Sequence, residues 1–409
     1  MSSSFLALGA PASIADRLAA RGINEPFPIQ AATLADALAG RDVSGRAPTG
    51  SGKTIAFGIP LVARVGRAAP RRPRGLVLVP TRELAAQVAQ ELTALGGRKG
   101  PSVLSIYGGV GFGPQIAALR RGVDIVVACP GRLADLVQQQ QLQLGDVELV
   151  VIDEADRMAD MGFLPEVRRL LDQVRPDRQT LLFSATLDGD VDVLVQRYQR
   201  DPVRHELAVD EDAPVSRHVF WSMDRADRVA VAADVVRVEW PAIVFCRTKH
   251  GADRLSKQLV RAGISAAPIH GDRSQAQRDR ALAAFTSGKV QALVATDVAA
   301  RGIHVDDVAA VVHFDPPGSE KDYVHRSGRT GRAGSAGLVL SLVAHESAAA
   351  VNDLQRRLGF EQRLHRPDVA ALQGDDHAAR PATEVATTPK APRSHSGRGP
   401  RRARPRGRR

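Results

Sequence analysis

Short runs of consecutive apolar residues, rich in Val, Ile and Leu, alternate along most of the chain with stretches whose apolar positions recur at helical spacing. Unbroken apolar runs suit strands buried on both faces, and helices between them are the crossovers of a parallel sheet. In the first half the pattern predicts strands at 75–79, 103–107, 124–128, 148–152 and 180–183. A polar, proline-containing stretch, 210–214, breaks the rhythm, which resumes with predicted strands at 242–246, 291–295, 309–314 and 337–343. Beyond about Gly359 the periodicity fades, and residues 390–409 are rich in Pro, Gly, Ser and Arg with no acid. The expected class is α/β: a first domain over 1–209, a linker over 210–214, a second domain of the same architecture over 215–360 and a disordered Arg/Pro/Gly-rich tail over 361–409. A length of 409 residues exceeds what one core usually serves, which agrees with two units.

Composition narrows the function classes. With aromatics at only 4%, the cores must be built from Val, Leu, Ile and Ala. No apolar run approaches the ~20 residues that cross a bilayer, and the start lacks the basic region of a signal peptide, so a cytoplasmic protein without membrane contact is expected. Cys129 and Cys246 each sit inside an apolar run and form no CxxC pair, which argues against a disulfide framework or a zinc site. Of the net charge of +11, +7 falls between Arg366 and Arg409. A pI near 10.4 points to a polyanion, either nucleic acid or an anionic membrane surface.

Ala47-Pro-Thr49-Gly50-Ser51-Gly52-Lys53-Thr54 is a glycine-rich turn running into an apolar helical segment. Such P-loop turns curl backbone N–H groups around phosphate at a helix N-terminus; Lys53 can reach the β and γ phosphates and the Thr54 hydroxyl can ligate Mg²⁺. Ala47 stands where the generic pattern has its first glycine. The apolar run 149–152 ends directly in Asp153-Glu154-Ala155-Asp156. Carboxylates at a strand's C-terminal end face the phosphate crevice of an open sheet, so Asp153 can hold Mg²⁺ through water and Glu154 can orient or deprotonate an attacking water. Taken alone, the two acids could equally cap the following helix.

From Phe5 to about Val343 the order of motifs resembles that of the DEAD-box RNA helicases, whose fold is two tandem RecA-like domains, each a mostly parallel sheet flanked by helices. Gly22-Ile-Asn-Glu-Pro-Phe-Pro-Ile-Gln30 resembles the family's Q motif, with Phe5 upstream, and makes Gln30 the adenine reader. The resemblance assigns RNA contacts to Pro80, Thr81 and Arg82, to Gly109, and to Pro130, Gly131 and Arg132 in the first domain, and to Arg247, Gln275, Arg278 and Thr296 in the second. Asp156, Ser184, Thr186, Asp297 and His325 would couple hydrolysis to strand separation. Arg329 and Arg332, three apart in His325-Arg-Ser-Gly-Arg-Thr-Gly-Arg332 and on one face if helical, would be arginine fingers supplied in cis. The implied activity is RNA-stimulated ATP hydrolysis with Mg²⁺, coupled to sequence-independent unwinding of RNA. The implied setting is a monomer acting in ribosome assembly or RNA turnover.

Several positions depart from the family's common residues. His304 replaces an Asp that contacts the ribose, Ile23 an aromatic near adenine, Phe27 a Thr, Cys129 a phosphate-touching Thr and Ser327 an Ile. Phe27 is a candidate to replace the packing missing at Ile23. These departures keep open a nucleotide-gated RNA clamp with weak turnover; a double-stranded DNA translocase is disfavoured by Gln30 and by the wording of the 153–156 motif. The arginine-rich tail reads either as an RNA tether, weakening with salt, or as a solubilising segment.

Overall fold

The computed structural model describes residues 4–48, 50–187, 189–207, 216–297, 305, 308–331 and 337–373. The expected linker, Thr49, His304, Arg332 and the tail from residue 374 lie outside the described residues. The first lobe holds strands β1 (Val43–Arg46), β2 (Gly75–Leu78), β3 (Val103–Ile106), β4 (Ile125–Ala128), β5 (Leu149–Asp153), β6 (Gln179–Ser184) and β7 (Val203–Glu206). The second holds β8 (Arg217–Met223), β9 (Ala242–Phe245), β10 (Ala266–Ile269), β11 (Ala292–Ala295), β12 (Ala310–His313) and β13 (Leu338–Ala344). All named strand pairs are parallel.

Continuous apolar runs arise because each sheet is covered on both faces. In β2, Val77 enters one core of the first lobe while Leu76 and Leu78 enter the other; in β9, Ala242 and Val244 face one core of the second lobe and Ile243 and Phe245 its opposite. All nine predicted strands are present. The four unpredicted strands are β1, β7, β8 and β10, and their sequences explain the omission. Strands β7, β8 and β10 are sheet edges, and β7 reads Val-Arg-His-Glu with alternating exposure. Strand β1 is internal yet reads Val-Ser-Gly-Arg. Ser44 is fully buried with its hydroxyl 2.5 Å from Gln199 Oε1, and a Cβ on Gly45 would lie 2.6 Å from the Phe183 ring.

The strand order explains where the motifs go. The first sheet runs β3-β4-β2-β5-β6-β1-β7 and the second β10-β11-β9-β12-β13-β8. Strands β5, β6 and β1 are neighbours, so the loops after them, carrying Asp153–Asp156, Ser184–Thr186 and the glycine-rich turn, stand side by side at the strands' C-terminal ends, where open α/β sheets bind ligands. Strands β3, β4 and β2 form the other half and present Gly109, Pro130–Arg132 and Pro80–Arg82. In the second sheet β10, β11 and β9 likewise present Gln275 and Arg278, Thr296 and Arg247.

Two expectations are corrected. The second lobe does not end at residue 360. His365 donates its N–H to Phe220 O (2.9 Å) and accepts from Ser222 N–H (2.8 Å), while Leu372 is buried in the lobe's core. The open edge of β8 supplies unpaired backbone groups that this polar segment can meet, and a single apolar anchor is too little to register as periodicity. The helix Glu320–Ser327 ends before Arg329, so the argument that a helical face carries Arg329 and Arg332 does not hold. Gly328 caps that helix and Arg329 lies in the turn beyond it.

Candidate active site

The glycine-rich turn is held by its own side chains and by Gln30. Gly52 precedes the helix Lys53–Arg64 at φ 83°, a left-handed conformation favouring glycine. Lys53, 7% exposed, donates from Nζ to Ala47 O at 2.9 Å, and Ser51 Oγ donates to Pro48 O at 2.7 Å. Gln30 is buried; its Oε1 accepts from Phe27 N–H and its Nε2 donates to Gly52 O, both at 2.9 Å. Each amide group still has capacity, one lone pair on oxygen and one N–H on nitrogen, while its orientation is fixed. Phe5 is buried in the core, and Thr54 is partly exposed beside an open cleft that runs along the helix Arg82–Gly96.

The acidic loop is buried and strained. Asp153 and Glu154 are 3% and 5% exposed, and Asp153 Oδ1 accepts the Glu154 N–H at 3.0 Å. Glu154 takes φ 51°, ψ 51°, a left-handed conformation that costs a non-glycine residue roughly 1–3 kcal/mol and persists only where surroundings impose it. Its Oε2 accepts from Arg157 Nη1 at 2.6 Å. Burial alone raises the Glu154 pKa, but the charges of Arg157, Lys53 and Arg329 outweigh it and hold the carboxyl down to about 2. Asp156 donates its N–H to Ser184 Oγ at 3.2 Å, joining the loops after β5 and β6, while Thr186 is exposed.

The second lobe meets this loop through its own charged turn. Arg329, 6% exposed, shares a small cleft with Arg157 of the first lobe and with His325, Asp297 and Asp322. Arg326 holds Asp297 through two bonds of 2.6 and 2.8 Å and donates to Asp315 O at 2.7 Å. Lys321 and Asp160 form an ion pair between the lobes.

On the other half of the sheets, the candidate RNA residues divide into two groups. Thr81 Oγ1 accepts from Leu84 N–H and caps the helix Arg82–Gly96, and Arg82 packs against Gly109, where φ is 82° and a Cβ would strike the guanidinium. Arg132 donates to Val110 O at 2.9 Å and lies 4.0 Å above the Phe112 ring; Pro130 is buried and Gly131 exposed. Arg247 is exposed and Thr296 buried. Gln275 and Arg278 reach across to buried Glu83, at 3.2 and 2.7 Å. These two residues connect the lobes in this arrangement.

The sequence reading passed over Glu83, Arg157 and Asp315. Arg157 stands three residues after Glu154, a spacing that pairs opposite charges on a helix, and was legible. Asp315 follows β12 as Asp153 ends β5; it accepts from Arg228 at 3.0 Å and from the Arg247 N–H at 2.9 Å. Glu83 carried no signal, because its partner is 192 residues away.

Comparison with known proteins agrees with this arrangement. The DEAD/DEAH box helicase family model matches residues 27–194, and that of the helicase conserved C-terminal domain matches 228–334. The chain is 41% identical over 372 residues to DEAD-box ATP-dependent RNA helicase 30 of Arabidopsis thaliana, covering 88% of this chain but 63% of that protein, so it spans under two thirds of that relative. It is 38% identical over 371 residues to DEAD-box ATP-dependent RNA helicase CshA of Bacillus cereus, covering 90% and 70%. Among solved structures it resembles S. cerevisiae Dbp5 bound to RNA and ADP BeF3 (26% identity, TM-score 0.76, covering 91% and 97%). It also resembles a DEAD box protein from the hyperthermophile Methanococcus jannaschii (33% identity, TM-score 0.52, covering 89% and 99%). At these identities, and over this much of each chain, the protein belongs to the DEAD-box ATP-dependent RNA helicase family.

Proposed function

We propose that this chain is an RNA-stimulated ATP hydrolase that couples lobe closure to local, sequence-independent unwinding of RNA duplexes. The observation that carries the reading is that Arg329 of the second lobe shares one small cleft with Arg157 of the first, whose guanidinium holds buried Glu154 at 2.6 Å. ATP would lie across Gly50–Thr54, with Lys53 turning from Ala47 O to the phosphates and Gln30 offering its remaining N–H and lone pair to adenine. Glu154 would orient the attacking water and accept its proton. Arg329, with Arg332 by sequence, would offset charge on the transferred phosphoryl group, so hydrolysis would proceed only with the lobes together.

One buried carboxylate and one hydroxyl, with no group of three metal-binding side chains among the described residues, suit a cation that keeps waters and shares substrate phosphates. Asp153 and Thr54 would hold Mg²⁺, which when bound neutralises phosphate charge. On the RNA side Arg82, Arg132 and Arg247, with Pro80, Thr81, Gly109, Pro130, Gly131 and Thr296, would follow the backbone, which makes recognition indifferent to base sequence. The tail would add salt-sensitive attraction; deleting residues 390–409 should weaken RNA binding at low salt, and unchanged affinity would make the tail a solubilising segment. Action as a cytoplasmic monomer in ribosome assembly or RNA turnover is part of the same reading.

The Arg157–Glu154 pair favours one alternative, a nucleotide-gated RNA clamp, because a base held in an ion pair is slow to accept a proton. Steady-state ATP hydrolysis with and without single-stranded RNA, beside single-stranded DNA and an Asp153→Asn control, separates the two. Strong stimulation by RNA, lost in the control, supports the hydrolase; RNA binding without turnover supports the clamp.

A further inference from the structure

Two large aromatic side chains are exposed among the described residues, Phe27 at 57% and Trp240 at 46%. Trp240 precedes β9, at the end of its sheet remote from the motif loops. Phe27 stands on the glycine-rich turn itself: a Cβ on Gly52 would lie 2.6 Å from Cδ2 of the Phe27 ring and would strike Gln30 Nε2 as well. At that exposure the ring contributes little to the lobe's core, so core packing does not account for an apolar ring at this place. Pro26 and Pro28 on either side restrict the backbone, and the Phe27 N–H is anchored to Gln30 Oε1. Gln30 is 1% exposed and Phe27 57% exposed, and both lie against Gly52, so the ring covers the approach to the amide from solvent.

We propose that Phe27 is a base-stacking residue of the nucleotide site, its ring supplying the apolar face for a purine whose edge meets Gln30. The proposal rests on the reading of Gly50–Thr54 as the ATP site. It assigns separate tasks to adjacent residues: stacking accepts any purine, because every base has a π-face, whereas the amide discriminates adenine from guanine.

The test is binding of ATP, GTP and inorganic tripolyphosphate to the full chain by calorimetry, for wild type, Phe27→Ala and Phe27→Trp, with RNA-stimulated turnover measured in parallel. Phe27→Ala should weaken ATP and GTP alike by about tenfold, by the strength of aromatic–base stacking. It should leave tripolyphosphate affinity unchanged and raise KM for ATP with little change in kcat. Phe27→Trp should restore affinity and show a fluorescence quench on nucleotide addition that the wild-type chain lacks. Equal weakening of tripolyphosphate would mean that Phe27 only props Gly52, and would overturn the proposal, as would unchanged nucleotide affinity. If wild type hydrolyses ATP and Phe27→Ala binds it normally, the stacking role alone fails; a wild-type chain that binds no nucleotide removes the ATP site and the stacking role together.

Discussion

The two lobes carry the same sheet architecture but hold their chemistry differently. In the first, Asp153 ends β5, Glu154 follows it at a strained left-handed position and Lys53 opens a helix, all buried and fixed by elements of their own lobe. In the second, Arg329 lies on a turn past the end of a helix and lines a cleft with Arg157 of the first lobe only because the lobes are together. One half of the site is preorganised and the other is conditional. That division suits an enzyme whose hydrolysis must wait for a second ligand, since a ligand shifts such an equilibrium only by binding one arrangement more tightly.

If this contrast is right, removing the fixed half should stop chemistry while the nucleotide still binds. Glu154→Gln is expected to cut RNA-stimulated turnover by roughly 10²–10⁴-fold, the usual range for losing a general base, with ATP affinity little changed in an equilibrium titration. Turnover near wild type would remove Glu154 from the reaction. Arg329→Ala removes the conditional half and should cost about 10³-fold in turnover, while RNA and ATP binding measured separately stay close to wild type.

Arg157→Ala sharpens the comparison by pH. Burial of Glu154 favours the protonated form, and Arg157 is the foremost charge opposing it, so without Arg157 the Glu154 pKa should rise by about one to three units. Because the wild-type carboxyl is depressed to about 2, its charge-dependent contribution is present above the ordinary carboxylate pKa and is lost only as pH falls toward that value. In the variant the acid limb of kcat should move upward, leaving activity near pH 8 less affected than activity near pH 4.5. An unmoved acid limb would leave Arg157 with a structural role only.

Glu83→Gln tests the contact between lobes on the RNA half. Losing one partner of a buried pair typically costs about 3–5 kcal/mol, and here part of that cost should fall on closure. The expected readout is a higher RNA concentration for half-maximal stimulation, with RNA-free turnover unchanged. A loss of thermal stability with normal RNA stimulation would assign the pair to folding alone.

How much of this was legible follows from where each residue's partners lie. Nine strands announced themselves as apolar runs, eight of them internal to their sheets and β3 at an edge, and the carboxylates followed from the end of β5 while the glycine-rich turn was read from its own residues. Strand β1 was hidden because close packing against Phe183 demands Gly45. Edge strand β7 was hidden because its alternate side chains are exposed, and edge strand β10 because Ala-Ala-Pro-Ile carries a single large apolar residue. The packing of His365 against β8 depends on backbone groups, which side-chain patterns do not report. The contacts of Gln275 and Arg278 with Glu83 were hidden because sequence shows that a residue is basic or polar but not which lobe it faces. Phe27 was visible as a departure and as a candidate for the packing missing at Ile23, and its position on Gly52 places it at the glycine-rich turn.

The central claim, one reaction served by a carboxylate of the first lobe and an arginine of the second, is tested most directly by a double-mutant cycle. RNA-stimulated ATP turnover would be measured at saturating ligands for wild type, Glu154→Gln, Arg329→Ala and the double variant. Groups that act in one site are strongly non-additive, so the double variant should lose little more than the worse single variant. Losses that multiply, as for two independent contributions, would contradict a shared site.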